Sequence, residues 1–173
     1  MCDKIGKINR MQAEKDFLRQ AYQFGAEKST DRSTQNGAIL VDGSGTVVAW
    51  GANHFPKGVA ETEERLQRPA KYMYVVHAET ESILDAAKRG VKTEGLVMYA
   101  PWSACNECAK VIIDSGIAKV VGHKKIMEVS YNQWPNSIRV AMDMFKEAGV
   151  LYELHEGDIG GVEILFNGKL FQP

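Results

Sequence analysis

The order of hydrophobic patterns between residues 96 and 154 restricts the fold of this chain more than any other feature. A short apolar run at 96–99 leads into a helical pattern at 105–115 that stops at Gly116. A second run at 119–122, a helical pattern at 137–148 ending at Gly149 and a last run at 150–154 follow. Alternation of this kind needs crossover connections, because two parallel strands of one sheet cannot be joined by a tight turn. The expected class is therefore α/β, with a largely parallel sheet.

The first half reads differently. Phe17, Leu18, Ala21, Tyr22 and Phe24 recur at helical spacing and predict a helix over 12–26. Two apolar runs at 37–41 and 46–50 flank a turn rich in glycine and predict a hairpin. The stretch 53–74 has little periodicity, carries Pro56, Gly58 and Pro69, and is too long for a simple connection. It reads as a functional loop, with at most a short helix at 61–67. Helical spacing returns at 77–89, with Gly90 as the stop, and residues 161–171 alternate before Asn167-Gly168.

At 173 residues and 45% hydrophobic content, the chain suits a single domain over 1–173, with a flexible start at 1–10 and a C-terminal strand or arm at 161–173. The 21 basic and 22 acidic residues are scattered instead of gathered into basic blocks. That distribution favours a small-molecule partner and argues against a long nucleic acid. Residues 1–10 mix charges with isolated isoleucines, which fits neither a secretion signal nor a membrane span. The expectation is a cytoplasmic protein without a membrane partner. Cys2 reads as an idle thiol, whereas the close pair Cys105 and Cys108 suggests metal or redox chemistry.

His77-Ala-Glu79 and Cys105-Asn-Glu-Cys108 each stand at the start of a predicted helix. Cysteines at i and i+3 share a helix face, and two thiolates with one imidazole leave the fourth corner of a tetrahedral Zn2+ open, as catalysis requires. The positive end of the helix dipole favours the thiolates. Glu79 then has a role as the carboxylate that moves protons for a water activated by the metal. This carries a geometric condition. Residues two apart do not share a helix face, so His77 must sit at the helix start and Glu79 must turn into the cleft.

A His-x-Glu followed by Cys-x-x-Cys resembles the signature of the cytidine deaminase superfamily. The runs Thr34-Gln-Asn-Gly-Ala38, Lys71-Tyr-Met-Tyr-Val-Val-His77 and 105–117 are most similar to the deoxycytidylate (dCMP) deaminases. The resemblance implies a three-layer α/β/α fold with a mixed sheet. It also implies hydrolytic deamination of dCMP to dUMP, with zinc held by His77, Cys105 and Cys108 and Glu79 catalytic. By the same resemblance Asn53 binds the substrate sugar, the backbone at Ala78 meets the pyrimidine, and the chain forms a homo-oligomer. Trp102, just before the ligands, lines the pocket and can stack on a base.

Two departures stand out. Ala104 replaces the proline usual before the first cysteine, and the 51–58 loop carries His54 and Lys57 where small or amide residues are usual. Other readings stay open at this point: cytidine, a modified pyrimidine or a purine as substrate, an inactive nucleotide-binding sensor, or a redox protein using Cys105 and Cys108.

Overall fold

The computed structural model describes residues 2–173, with side chains from residue 9 onward. Expectations for Cys2 and for the start at 1–10 fall largely on side chains outside that range. In chain order the elements are α1 (Cys2–Lys28), β1 (Gly37–Val41), β2 (Val47–Ala52), α2 (Glu63–Leu66), α3 (Lys71–Tyr74), α4 (Ala78–Lys88) and β3 (Val97–Tyr99). They continue with α5 (Asn106–Asp114), β4 (Lys119–His123), α6 (Lys124–Tyr131), α7 (Pro135–Ala148), β5 (Leu151–His155), β6 (Ile164–Phe166) and β7 (Lys169–Phe171). No helix among the described residues is long and apolar enough to cross a membrane.

The five main strands lie in the order β2-β1-β3-β4-β5. Pairing is antiparallel for β1 with β2 and with β3, and parallel from β3 through β4 to β5. The sheet is thus mixed: the hairpin of the first half supplies its antiparallel edge, and the alternating second half supplies the parallel part. Both faces are covered. Ile39, Val41, Tyr99 and Val121 pack with Leu18, Ala21 and Tyr22 of α1, while Ala38, Leu40, Met98 and Val120 pack with Ile83 of α4, Ile112 of α5 and Phe145 of α7. Alternate residues of one strand feed opposite layers, which explains why every residue of β1 is buried.

Three elements differ from the sequence expectation. The first helix begins at Cys2, well before residue 12; residues 9–13 are exposed, and Arg10 with Glu14 and Gln12 with Asp16, each at 3.0 Å, link successive turns there. α6 was not expected from the sequence; it is only eight residues long and buries Ile126 and Ser130. α3 falls inside the stretch read as loop, and its four residues are too few to show a period. The C-terminal segment forms its own two-stranded sheet, β6 with β7, turning at Asn167 and Gly168, both of positive φ.

The first turn of α4 sits directly on β2. A Cβ at Gly51 would lie 2.1 Å from the Ala78 carbonyl and 2.4 Å from the Ser82 nitrogen. Only glycine permits that approach. The Asp85 carboxylate completes the seat by accepting from the Trp50 backbone N–H at 3.1 Å. We expect Gly51→Ala to lower stability by about 1–3 kcal/mol through overpacking and to reduce metal content, since the turn it displaces carries His77. Denaturant melts with metal analysis on the same sample check this, and an unchanged midpoint with full metal would refute the seating argument.

His123, at the end of β4, is fully buried. Its Nδ1 accepts from the Tyr22 hydroxyl at 2.8 Å, and its Nε2–H donates to the Gly157 carbonyl at 2.9 Å. The ring is a structural pin in its neutral form. Burial lowers its pKa below the ordinary 6.5, so the unfolded chain takes up the proton first as pH falls. Its stabilising contribution is therefore full above about pH 6.5 and is lost as pH drops through the folded value. Denaturation midpoints between pH 7.5 and 5 are expected to fall, with a shallower slope in His123→Gln.

Candidate active site

Two helix N-termini meet over one end of the sheet. His77 is the N-cap of α4 in extended conformation (φ −78°, ψ 151°), and Cys105 is the N-cap of α5 (φ −75°, ψ 167°). Lying outside the helix proper, His77 turns towards α5 while Glu79, in the first turn, turns into the cavity, which is the geometry the spacing demands. Cys105 Sγ caps its own helix by accepting from the Cys108 N–H at 3.4 Å, which aligns both sulfurs on one face.

The donors converge. His77 Nδ1 is 3.3 Å from Cys108 Sγ and 3.5 Å from Cys105 Sγ. All three ligand atoms lie within 4.8 Å of one another, and no fourth His, Cys or carboxylate joins the cluster among the described residues. Zinc bond lengths of about 2.3 Å to sulfur and 2.0–2.1 Å to nitrogen give a tetrahedron whose N···S edge is about 3.6 Å. The observed separations fit that edge. A set of three soft or borderline donors leaves a fourth position for water or substrate.

Electrostatics agree with a cation site. Hydrogen bonds from Cys108 and His77 draw the Cys105 thiol down to about 4, and the same contact with Cys105 holds His77 up to about 9. Proximity to the Cys105 sulfur pushes Cys108 up. The cluster thus favours one thiolate and holds protons that a divalent cation would displace. Thr80 Oγ1, 3.7 Å from Cys108 Sγ, supplies a further polar partner.

Glu79 is 2% exposed, and burial raises its carboxyl to about 7, where a group can both accept and release a proton near neutrality. Asn36 Nδ2 donates to its Oε2 at 3.5 Å. Both belong to the wall of a cavity of about 340 Å³ that also includes His77, Cys105, Asn53 and Trp102. Asn53 binds across the cavity wall, its Oδ1 accepting from the Ala78 N–H at 3.0 Å. Ala78 itself does not line the cavity, and its N–H is committed to Asn53 instead of being free for a ligand. Trp102 packs its indole on Phe166 at 5.0 Å.

Several wall residues stand outside the two ligand motifs. Asn36 precedes a strand that is otherwise wholly apolar, and a lone amide there was the available signal. Lys71 is 4% exposed and donates to both Asp31 oxygens, at 2.7 and 3.1 Å, and to Ser33 Oγ at 2.6 Å. Asp31 in turn accepts from the backbone N–H groups of Ser33 and Thr34, so the pair holds the loop that carries Asn36. Trp134 lies at the cavity edge with Tyr72 in a T-shaped contact at 4.9 Å. Glu107 is exposed and pairs with Lys110 at 2.7 Å, away from the metal cluster.

Because binding requires neutral imidazole and two thiolates, acid should favour metal release. Zinc freed into a chromogenic chelator should rise steeply as pH is lowered from 7.5 towards 4.5, and Cys105→Ser should hold far less zinc at neutral pH. Retention of stoichiometric zinc by that variant would remove Cys105 from the ligand set.

Comparison with known proteins agrees with this geometry. Residues 11–124 match the family described as the cytidine and deoxycytidylate deaminase zinc-binding region. The chain is 36% identical over 136 residues to an uncharacterized deaminase in the luxG 3' region of Aliivibrio fischeri, covering 79% of this chain and 88% of that protein. It is 33% identical over 142 residues to the deoxycytidylate deaminase of Homo sapiens, covering 79% and 75%. In three dimensions it resembles the apo dCMP deaminase of cyanophage S-TIM5 with a TM-score of 0.63 at 23% identity, covering 83% of this chain and 97% of that one. This last likeness speaks to the fold.

Proposed function

The chain belongs to the cytidine and deoxycytidylate deaminases, and on that premise we propose that it hydrolyses dCMP to dUMP and ammonia. The observation that carries the reading is the convergence of His77, Cys105 and Cys108, with His77 and Cys105 sharing one cavity wall with the buried Glu79. Zinc held by these three residues supplies a Lewis acid that makes a water nucleophilic near neutral pH.

The remaining work falls to the chain's own side chains. Glu79 takes a proton from the attacking water and delivers it to the pyrimidine ring nitrogen. It then carries a second proton to the amine as the C–N bond breaks, so that ammonia leaves and the ring gains a carbonyl. Asn36 steadies one carboxylate oxygen and leaves the other free to move the proton. Asn53 holds the sugar and Trp102 offers a face to the base. The cavity volume suits a single small nucleotide.

A reducing, cytoplasmic setting is part of the proposal, since the ligand cysteines must stay as thiolates. So is assembly of several copies, supported by Tyr72, Met73 and Tyr74, which are 37%, 85% and 36% exposed beside the cavity.

The test is ammonia release across dCMP, deoxycytidine, CMP, 5-substituted dCMP and guanine, with zinc measured on the same preparation. We expect dCMP to be the preferred substrate. Glu79→Gln should keep zinc and fold while turnover drops roughly 10²–10⁴-fold. Undiminished turnover in that variant would refute the role given to Glu79, and zinc without turnover of any pyrimidine would refute the substrate class.

A further inference from the structure

The cavity has a buried end and an open end. Glu79, His77 and Cys105 form the inner end, whereas Arg68 and Trp134 are exposed at the rim. A nucleotide whose base reaches Glu79 must leave its most solvated group, the phosphate, towards the rim. The two long cations of the wall are Lys71 and Arg68. Lys71 is spent: its three N–H donors meet the two Asp31 oxygens and Ser33 Oγ, and the pair is neutral overall.

Arg68 is different. No carboxylate pairs with it among the described residues. Its guanidinium donates instead to the neutral Asn167 Oδ1 and lies over the Tyr72 ring at 5.8 Å. Asn167 is the tip of the hairpin β6–β7, which lies outside the region matched by the family.

That hairpin is firmly tied to the cavity wall. Gln35 and Leu165 exchange two hydrogen bonds, with Gln35 N–H donating to the Leu165 carbonyl at 2.9 Å and Leu165 N–H donating to Gln35 Oε1 at 2.8 Å. Gly168 N–H donates to the Ser33 carbonyl at 2.8 Å, and Phe166 backs Trp102. A neutral amide on a fixed backbone therefore orients a guanidinium without cancelling its charge. The planar donor fork left to Arg68 matches phosphate oxygens.

We propose that Arg68 reads the 5'-phosphate of the substrate and that the C-terminal hairpin, through Asn167, is the positioning element that aims it. This deepens the dCMP reading and rests on it. The selectivity for a nucleotide over a nucleoside is then written in a segment remote from the metal-ligating motifs.

Steady-state kinetics on the zinc-loaded full chain test it, comparing kcat/KM for dCMP with that for deoxycytidine in Arg68→Gln and Asn167→Gly. Glycine keeps the φ of 51° at position 167 without strain, so only the carboxamide is lost. Zinc content and melting temperature are recorded for each variant. The dCMP to deoxycytidine ratio should fall roughly tenfold or more in Arg68→Gln. In Asn167→Gly it should fall by a smaller factor, carried by KM for dCMP with kcat retained, and titration of the product dUMP should weaken in parallel. A wild-type preference for dCMP that survives both substitutions overturns the roles of Arg68 and of the hairpin while leaving the dCMP reading in place. A fall in Arg68→Gln without one in Asn167→Gly overturns the role of the hairpin. A wild-type protein that treats dCMP and deoxycytidine alike overturns the nucleotide reading together with this one.

Discussion

The approach of α4 to β2 at Gly51 governs the rest of the structure. Because the Ala78 carbonyl and Ser82 nitrogen press where a side chain would stand, the first turn of α4 has one permitted height above the sheet. That height sets His77 level with the N-terminus of α5, so that an imidazole and two sulfurs from segments 28 and 31 residues apart come within 3.5 Å. It also sinks Glu79 into a wall from which water is largely excluded. The meeting of the three donors, the burial of Glu79 and the depth of the cavity all follow from one close contact between backbones.

Around that contact the protein uses buried polar groups to define shape more than to add stability. The Lys71–Asp31 pair is costly to desolvate, and its return is a loop held in one conformation, with Thr34 and Asn36 facing the cavity. Asn53 ties the end of β2 to the start of α4, and the Tyr22–His123–Gly157 chain pins the opposite layer. Each satisfies its donors with near-neighbour acceptors, which keeps the cavity wall rigid while leaving Glu79 with little competition for its proton.

Much of the fold was legible because its elements obey local periodicity. The strand and helix order between 96 and 154, with stops at Gly116 and Gly149, follows from apolar spacing and left-handed glycines that close helices. The α3 turn and α6 were not legible, since four residues cannot display a helical period and α6 buries little beyond Ile126. The metal cluster was legible for a chemical reason: few residue types serve as ligands, and the i, i+3 cysteines announce a shared face.

By itself, then, the sequence determined the order of most strands and helices, the set of metal donors and the carboxylate beside them, because periodicity and ligand chemistry are local properties. The tertiary structure alone decided which polar residues join that site. Asn36, the stretch carrying Arg68 and Lys71, and Asn167 come from three separate segments, and their meeting depends on how the hairpin at the C-terminus docks against residues 33–35. Nothing in the sequence spacing of three such segments encodes a distance between them; only packing of the layers brings them to one wall.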